Sequence, residues 1–162
     1  MRKSVLVIVD MQTGFDDAAM HVLQENLDAI EIAKKKRMFI VVLEFGGNGK
    51  TLKPIQESLD EYHSIIYKRK YMCDGSKHVG EALVEKDISP VRFFVTGVYA
   101  DACVFETVRG LASKFDPVPV AVVDKAVANL MKPGFKRGCL KAKNVKVQKG
   151  KIGKRTFVLS GT

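Results

Sequence analysis

Three residues that could carry out acyl transfer stand at the ends of strand-like apolar segments. Asp10 directly follows VLVIV, Lys68 directly follows SIIY, and Cys103 lies in the turn after the glycine that ends FFVTG. A cysteine thiolate is a nucleophile, a carboxylate can accept its proton, and a nearby ammonium group stabilises the resulting anion. The carboxyl ends of parallel strands share one edge of a sheet, so we expect these side chains to converge there. The pattern predicts attack by a thiol on a carbonyl carbon.

Each of the three residues also has an ordinary structural explanation. An aspartate after a strand commonly forms a turn, a lysine leaving a strand is commonly solvated, and a lone cysteine commonly packs in a core. Three complementary groups at three strand ends are poorly explained in this way. The combination therefore favours a catalytic site.

The segment VTGVYADACVFET gives the cysteine a reactive setting. Asp101 is a residue type that caps helices, which would place Cys103 in the first helical turn. A helix N-terminus and a neighbouring ammonium group both favour the thiolate, so we expect a lowered thiol pKa. Backbone amides at this turn have no partner within the helix and could bind an oxyanion.

Apolar segments of strand length alternate with segments of helical length along the chain. Strands are expected at 4–10, 38–45, 64–68, 91–97, 118–124 and 145–148, and helices at 18–36, 55–62, 79–86, 101–113 and 135–142. Strands that are apolar throughout and separated by helices form parallel sheets covered on both faces. The sequence therefore predicts one doubly wound, Rossmann-like α/β domain with a six-stranded parallel sheet, spanning 1–162. The segment RTFVLS could add a short strand.

Four segments resemble the isochorismatase-like cysteine hydrolase superfamily. They are VLVIVDMQTGF, IIYKRKY, VTGVYADACVFETVRGL and VPVAVVDKAVA, and their order and spacing match the family from about Val5 to Ala128. The basic segment 132–162 lies outside this resemblance.

The resemblance implies a six-stranded parallel sheet and an Asp–Lys–Cys triad. Cys103 would be the nucleophile, Asp10 the general base and later the acid, and Lys68 the cation that holds them in place. Lys70, two residues further on, is the alternative lysine. The implied oxyanion hole uses the backbone amides of Cys103 and Tyr99, with a cis peptide bond before Tyr99.

The implied reaction is hydrolysis of a C–N bond in a small amide, ureide or carbamoyl compound through a thioester. Phe15, Phe45, Tyr71 and Tyr99 are the expected pocket walls, and Tyr99 stands where the family commonly has a small residue. Two alternatives remain open. One is an isochorismate-type ether hydrolase, and the other is a non-catalytic binding module that uses the fold and the basic tail.

No metal or other cofactor is expected. Zinc-dependent nicotinamidases of this family carry a histidine cluster after the second strand, where this chain has LEFGGNGKT. The GKT in that segment suggests a phosphate-binding loop, but Glu44 occupies the position where such a loop needs a glycine. We therefore expect a loop that borders the active site.

The net charge of +9 is concentrated in the C-terminal part of the chain. After Asp124 there are eleven basic residues and no acidic ones, whereas residues 1–124 carry 16 basic and 18 acidic side chains. Such a tail could contact nucleic acid or an acidic partner surface, or could simply be solvated. No aromatic residues alternate with these charges, so nucleic acid is not the expected partner.

The expected partners are a small-molecule substrate and further copies of the chain, as a dimer or tetramer, with no membrane contact. The three cysteines, Cys73, Cys103 and Cys139, are widely spaced and form no CxxC pair, which fits a reducing, cytoplasmic location. We expect Cys73 at the pocket rim and Cys139 in a packing role.

Overall fold

The computed structural model describes residues 1–129, 142–150 and 152. The strands are β1 (Arg2–Val9), β2 (Phe39–Phe45), β3 (Ser64–Arg69), β4 (Ser89–Val98), β5 (Val120–Ala128) and β6 (Val145–Gln148). The α-helices are α1 (Asp16–Ala19), α2 (Leu23–Lys35), α3 (Lys53–Ser58), α4 (Ser76–Glu85) and α5 (Cys103–Lys114), with 3-10 turns at Thr13–Phe15 and Met20–Val22.

The six strands form one parallel sheet in the order β3-β2-β1-β4-β5-β6, which confirms the predicted fold class. Because β1 is central, its residues Val5–Val9 are fully buried between β2 and β4. Two apolar cores lie on opposite faces of the sheet. One packs under α4 and α5, and the other packs under α1, α2 and α3.

Several boundaries differ from the sequence-based expectation. The helix expected at 18–36 is divided, because Val22 leaves helical geometry at φ −124° and ψ 15°. Strand β3 continues one residue further, to Arg69, and this shift changes the site. Strand β5 also continues, to Ala128.

Some expectations fall on residues outside the described ranges. They are most of the helix at 135–142, the RTFVLS strand, the position of Cys139 and most of the basic segment 132–162. None of the helices in the described ranges is long and apolar enough to cross a membrane.

Gly97 allows β4 to approach β1 closely at the carboxyl ends of the strands, where the candidate site lies. It adopts φ +110° and pairs with Val9, whose carbonyl oxygen would overlap a Cβ placed at position 97. Any side chain here meets backbone strain and a backbone clash together.

We predict that Gly97→Ala lowers the free energy of unfolding by about 3–5 kcal/mol, because strain and overlap add. Urea denaturation measures this change. Gly47→Ala is the matched control, since Gly47 has φ +81° and no atom lies within 4 Å of the place its new methyl group would take. It should lose only about 1 kcal/mol. Equal losses in the two variants would show that the approach of β4 to β1 is not the constraint.

Candidate functional site

Asp10 is buried at the carboxyl end of the central strand. It directly follows β1, adopts φ 52°, and is only 1% exposed. Its amide donates to the Leu43 carbonyl at 3.0 Å, which continues the pairing of β1 with β2 by one residue. The carboxylate is thereby fixed where the strand ends meet.

Arg69, rather than Lys68, contacts Asp10. The Arg69 side chain is fully buried, its Nη2 donates to both Asp10 carboxylate oxygens, and its Nη1 donates to the Cys73 carbonyl. Lys68 is exposed, and so is the alternative Lys70. The expectation that one of these lysines holds Asp10 is therefore wrong.

The alternation of side chains along β3 explains this correction. Ile65 and Tyr67 pack against the core under α4 and α5, and Arg69 follows them at the same period of two. Lys68 lies on the opposite face with Ile66. The signal was present in IIYKRK, since a strand that extends to 69 places the arginine in phase with the inward-facing residues.

Cys103 is the first residue of α5 and is 7% exposed. The Asp10 carboxylate and the Arg69 guanidinium both lie close enough to its thiol to act on the thiol pKa. Residues that follow three different strands thus lie together, and the cation among them is Arg69 and not a lysine. Asp101 does not cap the helix. Ala102 occupies the N-cap, and the Asp101 amide donates to the Asn129 side chain at 2.9 Å.

The electrostatics of the cluster favour a protonated thiol at rest. Burial and the adjacent Asp10 carboxylate raise the pKa of Cys103, and Arg69 only partly opposes them. The expected lowering of the thiol pKa is therefore wrong. Burial also raises the pKa of Asp10 above its usual value, although the Arg69 guanidinium and the Cys103 hydrogen bond pull it down. A carboxylate of raised pKa is a better proton acceptor.

The turn between β4 and α5 carries the two backbone amides that the resemblance assigns to an oxyanion hole, those of Tyr99 and Cys103. The Val98–Tyr99 peptide bond is cis, and the Tyr99 carbonyl accepts from the amides of Ala102 and Val104, both at 3.1 Å. Within the described part of the chain, neither the Tyr99 nor the Cys103 amide donates to a backbone acceptor outside regular structure. These are the two donors expected of an oxyanion hole.

Three of the four expected pocket residues form one aromatic wall. Phe15 contacts Phe45 and Tyr99 edge-on, with ring centroids 6.4 Å and 5.3 Å apart. The Arg69 guanidinium lies 5.4 Å from the Phe45 ring centroid, so the wall adjoins the ion pair. The Tyr99 hydroxyl donates to Asp17 at 3.1 Å. The fourth residue, Tyr71, does not join these rings and is 85% exposed.

Sequence reasoning missed Gln12, a fully buried side chain that fixes the loop after β2. Its Nε2 donates to the carbonyls of Phe45 (3.0 Å) and Gly49 (2.9 Å), and its Oε1 accepts from the Phe45 amide at 2.6 Å. The only available signal was a glutamine two residues after Asp10. Glu44, also buried, accepts from the amide and hydroxyl of Thr51. The GKT threonine is therefore engaged in holding the loop.

Within residues 1–129, 142–150 and 152, no cluster of three or more histidine, cysteine, aspartate or glutamate residues could hold a metal ion.

Solved structures share this architecture. N-carbamoylsarcosine amidase from Thermoplasma acidophilum matches with a TM-score of 0.72 and 18% identity, covering 91% of this chain and 96% of that chain. The nicotinamidase from Staphylococcus aureus matches with a TM-score of 0.67 and 17% identity, covering 81% and 88%. The MAR1 ribonuclease from Caenorhabditis elegans matches with a TM-score of 0.69 and 22% identity, covering 79% of this chain and 66% of that chain.

An isochorismatase from Pseudomonas putida and a cysteine hydrolase from Pseudomonas syringae share the fold as well, with TM-scores of 0.65 and 0.64, so the structural neighbours include proteins of the superfamily that the sequence resembles. The chain therefore has the isochorismatase-like fold. No family model and no curated protein matches the sequence.

We predict that Arg69→Met lowers the free energy of unfolding by about 3–5 kcal/mol, because it leaves the Asp10 carboxylate buried without its cation. The double variant Asp10→Asn/Arg69→Met should lose less than the sum of the two single variants, as a urea double-mutant cycle would show. Lys68→Met is the control and should stay within about 0.5 kcal/mol of the unmodified protein. An Arg69→Met variant as stable as that control would contradict the buried ion pair.

We also predict that iodoacetamide alkylates Cys73 faster than Cys103 at pH 7, because Cys73 is exposed and Cys103 is a buried thiol of raised pKa. Asp10→Asn removes the neighbouring negative charge, so it should shift the pH profile of Cys103 alkylation to lower pH. Peptide mass spectrometry over a pH series measures both rates. Faster labelling of Cys103 at neutral pH would indicate a resting thiolate instead.

Proposed function

We propose that this chain is a cysteine-dependent hydrolase that cleaves a C–N bond of a small amide, ureide or carbamoyl compound. The observation that carries the proposal is the buried Asp10 carboxylate, which meets both the Cys103 thiol and the Arg69 guanidinium. This arrangement places a nucleophile, a proton acceptor and a fixed positive charge in one cluster. The neighbours named as amidases and nicotinamidases support the same reaction class.

The first half of the reaction forms a thioester. The Cys103 proton moves to Asp10 as the sulfur attacks the carbonyl carbon, and the carbonyl oxygen becomes an oxyanion. The Tyr99 and Cys103 amides would donate to that oxyanion. The C–N bond then breaks, the proton held by Asp10 passes to the departing nitrogen, and ammonia or an amine leaves.

The second half regenerates the enzyme. Asp10, again a carboxylate, accepts a proton from water as the water oxygen attacks the thioester carbonyl. The C–S bond breaks, and the proton returns from Asp10 to the Cys103 sulfur. The product is the carboxylic or carbamic acid. Asp10 thus accepts and returns one proton in each half-reaction.

Arg69 acts as the fixed cation of this scheme. A guanidinium does not lose its proton in a protein, so Arg69 can orient Asp10 and stabilise the thiolate but cannot itself transfer a proton. Every proton step is therefore assigned to Asp10. The Phe15, Phe45 and Tyr99 rings form the wall against which the acyl part of the substrate would pack.

An ammonia-release screen over small amides, ureides and carbamoyl compounds tests the proposal. The expected result is turnover of at least one compound, with Cys103→Ala reduced to the background rate and Asp10→Asn reduced by about 10²–10⁴-fold. Lys68→Met should retain full activity, as an exposed control from the same strand. A Cys103→Ala variant that keeps its ammonia release would contradict the cysteine mechanism, whereas an isochorismate-type ether hydrolase would release no ammonia from any compound in the screen.

For any compound that is turned over, we predict that kcat/KM falls as the pH drops through the pKa of Asp10. The protonated carboxyl cannot accept the thiol proton, so activity is lost on the acid side. Burial raises this pKa, so the midpoint should lie above the usual aspartate value of about 3.9. A midpoint at or below that value would show that another group controls the acid limb.

A second candidate is RNA cleavage or RNA binding. It is favoured by the net charge of +9, by the eleven basic residues after Asp124, and by the structural similarity to the MAR1 ribonuclease. Incubation with labelled single-stranded RNA separates the possibilities. Cleavage that persists in Cys103→Ala would contradict the cysteine mechanism for that activity, and binding without cleavage would support the non-catalytic module.

A further inference from the structure

Strand β3 forms one edge of the sheet, and no strand in the described part of the chain pairs with its outer side. The carbonyls of His63 and Arg69 accept hydrogen bonds from β2 and the residue that follows it, so the alternate residues Ser64, Ile66 and Lys68 direct their backbone groups away from the sheet. An exposed row of backbone donors and acceptors is a template for another strand.

The chain around this edge exposes an unusual amount of apolar surface. Tyr62, Ile66, Tyr71 and Met72 are 82%, 42%, 85% and 58% exposed, and they make up half of the eight large apolar residues that are exposed in the described ranges. These four residues lie within eleven positions of the chain, and we call the segment 60–72 the β3 patch. Large apolar side chains exposed along an unpaired sheet edge are typical of an interaction site.

The charges along the β3 patch are arranged by sign. Asp60 and Glu61 precede the strand, and Lys68 and Lys70 stand at its far end. Among the described residues, Glu61, Lys68 and Lys70 form no ion pair. The Tyr62 amide holds the pKa of Asp60 below its usual value, so this carboxylate is charged at neutral pH.

This order of charges favours a second copy of β3 as the partner, running antiparallel to the first. Two copies of β3 placed antiparallel bring the acidic end of each copy to the basic end of the other, twice in one symmetric contact. A parallel arrangement would oppose like charges along the edge, which is unfavourable. The lysines also discourage pairing with strands that lack acidic residues.

We propose that the β3 patch is a self-complementary interface that pairs antiparallel with β3 of a second copy of this chain. The contact would join two six-stranded sheets into one, and would cover the exposed Ile66 and Tyr62 side chains. The proposal stands independently of the reaction catalysed.

Sedimentation equilibrium of the full chain, at low ionic strength, tests the interface. The unmodified protein should be a dimer. Asp60→Lys/Glu61→Lys and Lys68→Glu/Lys70→Glu should each raise the dimer dissociation constant by about a hundredfold or more, because both copies then present like charges. An equimolar mixture of the two variants should form a heterodimer, which also shows that each variant is folded.

The control is Lys143→Glu/Lys149→Glu, which makes the same charge change beside β6 at the opposite edge of the sheet. It should leave the dimer intact. A monomeric unmodified protein would overturn the proposal. A dimer that neither charge reversal in the β3 patch weakens would also overturn it. The same holds if the mixture of the two variants fails to form a heterodimer, or if only the Lys143→Glu/Lys149→Glu variant dissociates.

Discussion

The buried ion pair between Asp10 and Arg69 is the interaction on which the site depends. The two residues leave β1 and β3, which are separated by β2, so the guanidinium must reach across two strand spacings, or about 10 Å. Only a long cationic side chain can do this. A buried carboxylate without such a partner would carry a large desolvation cost, and its position relative to the thiol would not be fixed.

Much of the local structure serves this pair. The Cys73 carbonyl accepts a hydrogen bond from Arg69 Nη1. The Thr107 hydroxyl donates to the same carbonyl at 3.3 Å, and Thr107 lies one turn after Cys103 in α5. The Phe45 ring lies beside the guanidinium where β2 ends, and Gln12 fixes the backbone of Phe45. The segments that end β1, β2, β3 and β4 are therefore joined around one charge pair. Burial and the Asp10 carboxylate together raise the pKa of Cys103, so the thiol stays protonated until a substrate carbonyl is attacked.

The sequence could predict the architecture because the fold is governed by a simple pattern. Fully apolar strands at regular spacing must be covered by helices on both faces of the sheet. That requirement predicted a parallel sheet, and a parallel sheet brings the strand ends that carry Asp10 and Cys103 to the same side. The apolar pattern could not show which residue at the end of β3 faces the site. Lys68, Arg69 and Lys70 are all basic, and they differ in which face of the strand they occupy. Because side chains alternate along a strand, continuing β3 by one residue places Arg69, and not Lys68, on the inner face with Ile65 and Tyr67. The thiol pKa was mispredicted for a related reason, since burial is a property of the packed site rather than of the turn sequence.

The role of the ion pair is decided by comparing Arg69→Met with Lys68→Met in kcat/KM for an amide substrate. The two residues are adjacent and both cationic, so each variant removes one positive charge, from the buried face of β3 at Arg69 and from the exposed face at Lys68. We expect a loss of at least about a hundredfold for Arg69→Met and a change within about twofold for Lys68→Met. The opposite order, or equal losses in the two variants, would contradict the assignment of Arg69 as the cation that holds the catalytic carboxylate.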